Sequence, residues 1–209
     1  MKTSSDWNGK ALSGRDRRLL YEWQQLDKRL QGHPEISYTV EQCNAQGLPT
    51  DYRISYRLRS ICGVEAVEQL EDPKVDNPPL FADCFRLQLL LPAGYPRVDA
   101  PARFQFQTHD PAGEAIAHPW HPNIRYFGPF AGRVCLNMPD SYTDLAWGVE
   151  RIAHYLRYDC YHAIAEPPYP EDPRVAAWVR EQGEPNGWIY FDQTTGQGKN
   201  NEWYKQRYE

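Results

Sequence analysis

An α+β fold is predicted by three features of this 209-residue sequence: an amphipathic helical segment near its start, four later segments of alternating polarity, and two more helical segments beyond a long irregular stretch. Elements in that order describe an antiparallel meander that needs helices on one of its faces.

The first helix is expected over Ser13 to Leu30. Ser13, with Asp16 three positions on, has the form of a helix N-terminus, and Leu19, Trp23, Leu26 and Leu30 then recur at helical spacing. From Ile36 to Cys43 and from Tyr52 to Ile61, β-branched and aromatic residues alternate with polar ones around a Gly47-Leu48-Pro49 turn, the pattern of a hairpin. Gly63 to Pro79 is acidic and ends in Asn77-Pro78-Pro79, a loop composition. Phe85 to Leu91 gives the third strand; Pro92, Tyr95, Pro96 and Pro101 punctuate a turn; Arg103 to Gln107 gives the fourth.

No period is sustained from Pro111 to Asp140, and ordered loops of that length are usually functional. A second helix is expected from Thr143 or Asp144, with Leu145, Val149, Ile152, Ala153 and Leu156 on one stripe. Pro167 to Pro173 breaks it, and Pro173 suits the first position of a third helix, Arg174 to Glu181. Beyond Gly183 the chain becomes polar and aromatic, with Trp188, Ile189, Tyr190, Phe191, Trp203, Tyr204 and Tyr208. These aromatics suit an extra hairpin packed on the core or, alternatively, a partner-binding segment. The expected organisation is a polar extension over 1–12, a single domain over 13–182 and an aromatic-rich extension over 183–209.

Composition narrows the function. With 41% hydrophobic and 24% charged residues, the chain reads as globular and soluble rather than disordered or membrane-embedded. It has no apolar run of membrane-spanning length, and Met1 to Lys10 lacks the apolar centre of a signal peptide. A net charge of −5 argues against nucleic acid as a partner, because non-specific affinity for phosphates rests on clustered Lys and Arg. Five cysteines at unpaired spacings, Cys43, Cys62, Cys84, Cys135 and Cys160, suit a reducing compartment, so the expected location is the cytoplasm.

Four motif groups occur in order: Pro92-Ala93-Gly94-Tyr95-Pro96 with Pro101; His121-Pro122-Asn123-Ile124; Gly132-Arg133-Val134-Cys135-Leu136-Asn137; and Pro170-Glu171-Asp172-Pro173. Together they resemble the proline-and-tyrosine turn, the His-Pro-Asn motif, the active-site cysteine segment and the acidic-proline loop of ubiquitin-conjugating enzymes. The resemblance spans Ser13 to Gln182 and implies that 13–182 is a ubiquitin-conjugating catalytic domain of UBC-like fold. It implies that Cys135 accepts ubiquitin or a ubiquitin-like modifier from an adenylating activating enzyme and transfers it to an amine of a target protein, with no metal or organic cofactor. A cysteine thiolate is a strong nucleophile and its thioester stays reactive towards amines, so one residue suffices as the carrier. By the same resemblance Asn123 either stabilises the oxyanion, a contribution worth about 3–4 kcal/mol in other acyl-transfer sites, or ties the loop together. His121 and Pro122 set the loop that presents it. The resemblance also implies that Asp172 lies near the incoming lysine, to orient the amine or accept its proton, orientation being the role assigned here, although an Asp before a helix-starting proline is equally a natural cap.

The sequence also departs from the family. Asn123 and Cys135 are 12 positions apart (135 − 123), longer than is usual there, with Tyr126-Phe127-Gly128-Pro129-Phe130 filling the interval, so that loop must bulge. Arg97 stands where a large apolar residue often helps bind RING-type ligases, and Trp147 is followed by Gly148-Val149 rather than a Ser-Pro-Ala type loop. The longer loop and aromatic tail look similar to conjugating enzymes of bacterial antiphage operons. Three other readings compete. One is a non-catalytic modifier-binding module of the same fold, which typically lacks the cysteine. Another is a thiol hydrolase built from His118, His121, Cys135 and Asp144, and the third a zinc site using His154, Cys160 and His162, for which no Cys-x-x-Cys partner exists.

Overall fold

The computed structural model describes residues 12–136 and 144–189. Helix α1 (Gly14–Leu30) begins where Ser13 Oγ accepts the Asp16 N–H at 3.1 Å, and it buries Leu19, Trp23, Leu26 and Leu30. Strands β1 (Ile36–Cys43), β2 (Pro49–Tyr56), β5 (Phe85–Leu90) and β6 (Arg103–Phe106) form a four-stranded antiparallel sheet in the order β1-β2-β5-β6. Their registers align Tyr38, Ile54, Leu87 and Phe106 in one row and Val40, Tyr52, Leu89 and Phe104 in the next. Side chains alternate between faces along a strand, so these rows make one apolar face, and α1 and α2 (Leu145–Leu156) pack on it in the main core.

Glu22 joins the two helices. Its buried carboxylate pairs with Arg18 at 2.5 Å, accepts the Tyr95 hydroxyl at 2.6 Å and accepts the Leu145 N–H at 2.8 Å, the first amide of α2. A buried charge persists only when its oxygens are satisfied, and here α1 supplies the anion that receives the first, otherwise unpaired amide of α2. Asp144 caps the same end through the Trp147 N–H at 2.8 Å.

Three expectations need correction. The strand expected over Tyr52 to Ile61 is broken: β2 ends at Tyr56, and Ser60–Val64 forms β3 of a separate two-stranded sheet with β4 (Pro79–Ala82). The stretch from Gly63 to Pro79 therefore holds the end of β3, a 3₁₀ turn at Val67–Gln69 and the start of β4 rather than loop alone. Alternating polarity continues through Arg57–Arg59, so the pattern carries no sign that the pairing partner changes there. The third helix, α3, runs Pro173–Trp178 and continues as a wider π-type turn, Val179–Gly183. Trp120, Val175, Trp178, Val179 and Ile189 form a second core, with Trp188 stacked on Trp178 at 6.3 Å, so packing continues past residue 182. The expected helix start at Thr143, the motif residue Asn137 and the aromatics from Tyr190 onwards lie outside the described residues. No described helix is long and apolar enough to cross a membrane.

Candidate active site

The long interval between Asn123 and Cys135 folds back on itself. Cys135 N–H donates to Asn123 C=O at 2.9 Å, Arg125 N–H to Arg133 C=O at 2.8 Å, and Gly132 N–H to Arg125 C=O at 2.7 Å. Residues 123–125 and 133–135 thus pair like a short antiparallel ladder, and the extra residues form its tip. The other edge of the 132–134 segment adds to β6 through Phe106 N–H to Gly132 C=O and Val134 N–H to Phe104 C=O, at 2.8 and 3.1 Å. The bulge expected from the spacing therefore leaves Asn123 beside Cys135. Ile124 pairs with Val134 and turns inward onto the main core. Alternation then places Asn123, Cys135, Arg125 and Arg133 on the opposite face. Cys135 is half-buried, and its carbonyl accepts the Tyr155 hydroxyl of α2 at 3.3 Å.

Asn123 is buried, and its side-chain oxygen accepts the His162 backbone N–H at 2.9 Å. A backbone amide can only donate, so this bond fixes the amide orientation and leaves the Nδ2 hydrogens as the donors for other work. Nothing in the sequence marks His162 as this partner. His121 Nδ1 accepts the Asn123 backbone N–H at 3.1 Å and Nε2 lies 3.3 Å from Cys160 C=O, which requires the neutral tautomer protonated at Nε2. Burial pushes this imidazole down to about 3, in keeping with a neutral ring stacked on Tyr155 at 4.8 Å. Pro122 C=O accepts the Asp172 N–H at 2.9 Å, joining this loop to the start of α3.

Asp172 is buried and uses both oxygens on backbone amides. Oδ1 accepts from Arg174 and Val175 at 3.1 and 3.3 Å, capping α3, and Oδ2 accepts from Tyr126 and Phe127 at 2.9 and 3.2 Å, holding the tip of the ladder. The cap weighed from the sequence is present, and the tie to Tyr126 and Phe127, unseen from it, occupies the second oxygen. The neighbouring Glu171 pairs with Arg133 at 2.7 Å and with Arg125 at 3.4 Å.

The competing constellations are not brought together. His118 stacks on Tyr126 at 4.3 Å, whereas Asp144 caps α2 and pairs with Arg29 at 2.9 Å. Of the zinc candidates, His154 pairs with Asp159 at 2.9 Å, His162 Nε2 lies 3.2 Å from Glu166 C=O, and the Cys160 thiol is pushed up to about 11 by burial. Among the described residues no three His, Cys, Asp or Glu side chains gather as a metal site. The chemistry this site can perform is nucleophilic: a half-buried thiol on an extended segment, next to a side-chain amide of fixed orientation.

No family model matches the chain, and no curated protein does. A solved structure of human ubiquitin-conjugating enzyme E2 G1 is similar over 70% of this chain and 98% of that chain, at 17% identity and a TM-score of 0.40. A likeness of that size leaves the reading of the site to its own geometry.

Proposed function

We propose that this chain is a ubiquitin-conjugating-type acyltransferase that carries ubiquitin or a ubiquitin-like modifier on Cys135. The Cys135 thiolate attacks the thioester held by an adenylating activating enzyme, the new C–S bond forms, and the activating enzyme's thiolate leaves. An amine of the target protein then attacks the Cys135 thioester, giving an amide and returning the thiolate, while the proton leaves the amine. The observation that carries this reading is the Cys135 N–H to Asn123 C=O bond at 2.9 Å, which keeps the His-Pro-Asn segment on the cysteine despite the long interval between them. Asn123 Nδ2 is the donor for the oxyanion that develops when the amine attacks. His121 and Pro122 are positioning residues. Asp172 is one too, because its oxygens are engaged by four backbone amides.

That none of the five cysteines forms a disulfide suits a cytoplasmic enzyme. The finer assignment, to conjugating enzymes of bacterial antiphage operons, rests on the long 123–135 interval and the aromatic tail, and an adjacent gene for a modifier or adenylating enzyme would test it. For the activity itself, incubation with modifier, activating enzyme and ATP should give an adduct on Cys135 that thiol reductants remove, since thioesters exchange with thiols and amides do not. Cys135→Ser should give at most a reductant-resistant oxyester. An undiminished reductant-sensitive adduct in Cys135→Ala rules the assignment out. Tight ATP-independent binding with no charging would make the chain a modifier-binding module instead. Asn123→Ala should slow discharge to a lysine acceptor more than it slows charging, while retaining the fold.

A further inference from the structure

We infer that Arg125 and Arg133 make the rim of Cys135 selective for a carboxylate-bearing peptide segment, so that an aspartate or glutamate flanks either the acceptor lysine or the acyl donor's terminal residues. This rests on the thioester reading above and adds the chemistry of what that thioester meets. Cys135 and Arg133 are two residues apart on one extended segment, and Arg125 lies across the ladder from Arg133, so all three side chains leave the same face. The two arginines share a single carboxylate oxygen, Glu171 Oε1, so this trio by itself carries one net positive charge. Arg133 makes the tight contacts, with Nε at 2.8 Å and Nη2 at 2.7 Å. Arg125 reaches the same oxygen only through Nε at 3.4 Å and makes no other side-chain hydrogen bond among the described residues.

The exposures fit a recognition surface. Glu171 is 13% exposed, whereas Arg125 is 30% and Arg133 49% exposed, so the cations face solvent over a largely covered anion. Asp172, the nearest other carboxylate along the chain, is committed to backbone amides and offers an incoming amine no open oxygen. Phe130, 57% exposed with the Arg133 guanidinium 4.9 Å from its ring centre, backs the arginine on the apolar side; Glu171 takes the Nε and Nη2 edge, and the Nη1 side is the one left to meet a second carboxylate. An acceptor lysine in a basic context meets like charge here, and one in an acidic context meets a partner.

The test separates this from the thioester reading, because its first arm needs no modifier. Alkylation of the intact protein by iodoacetate, an anion, and by iodoacetamide, its neutral counterpart, is followed at Cys135 by mass spectrometry. The iodoacetate-to-iodoacetamide rate ratio should fall about threefold or more in Arg125→Gln/Arg133→Gln, fall likewise in wild type at high salt, hold in Arg133→Lys, and rise in Glu171→Gln. A structural role for the arginines would not raise the ratio on loss of Glu171. Should the double variant not fold, the Arg133→Lys, Glu171→Gln and salt arms still decide. In the second arm Cys135 is charged by transthiolation from a neutral Gly-Gly-terminated peptide benzyl thioester, and discharge to Ac-Glu-Lys-Glu-amide is compared with Ac-Gln-Lys-Gln-amide. A matched pair of donors with and without a terminal-region Glu is run beside them. A preference of about threefold in the acceptor pair or in the donor pair assigns the source of the carboxylate. A ratio unmoved by removal of charge at these positions, or no preference in either pair, overturns the inference even if Cys135 charges normally.

Discussion

Asp172 accepts four backbone hydrogen bonds, two from α3 and two from the tip of the ladder that carries Asn123 and Cys135. Asp172→Asn separates these duties. The asparagine oxygen remains a good helix cap, but its NH₂ then faces the Tyr126 and Phe127 amides, donor against donor. Stability should fall by about 2–3 kcal/mol, and charging and discharge should slow together because the ladder loosens. If Asp172 instead orients the incoming amine, the melting temperature will hold and only discharge to a bulky acceptor will slow. Thermal melting beside single-turnover assays distinguishes the two.

The ladder itself depends on one glycine. Gly132 has φ +87°, and a Cβ there would lie 2.1 Å from Phe106 O, the backbone that receives the segment onto β6. Gly132→Ala therefore meets both an unfavourable backbone region and a fixed carbonyl, and should lower stability by at least about 2 kcal/mol, or about 4–8 °C in melting temperature for a chain of this size. Gly128, at the tip with φ +82°, has nothing within 4 Å of such a Cβ. Its alanine variant should cost only about 1 kcal/mol. Equal losses from the two variants would show that backbone conformation alone, not the approach to β6, sets the cost.

At the scale of the molecule, His121 sits where the two cores meet, stacked on Tyr155 from one and tilted against Tyr158 from the other at 4.9 Å. Its imidazole titrates near 6.5 when unfolded and about 3 in the fold, lowered by burial. Above pH 6.5 the ring is neutral in both states. Below it the unfolded chain binds a proton that the native ring refuses, so stability should fall with pH by about 1.4 kcal/mol per unit until about pH 3 is reached. His118, whose pKa burial also lowers, acts in the same direction. The measurement is accordingly the difference in slope between wild type and His121→Gln in melting scans from pH 7 to 4. Parallel slopes would mean that His121 accepts the proton in the native state.

Much of this architecture was legible in local pattern. The stripe Leu19, Trp23, Leu26, Leu30 defines α1, the alternation Phe85, Leu87, Leu89 defines β5, and Ser13, Asp144 and Asp172 mark helix starts, because caps and periodicities are properties of a few adjacent residues. The motif order also brought Cys135, Asn123 and Asp172 forward as candidates. What only the tertiary structure decided is which groups those residues meet: β3 leaving β2 for β4, the His162 amide on Asn123, the Tyr126 and Phe127 amides on Asp172, and Glu171 shared by Arg125 and Arg133. Most of these partners are backbone amides tens of residues away, and a backbone N–H is the same at every position but proline. The sequence therefore carries no mark of which amide will be used, and the choice falls to the packing that brings the segments together.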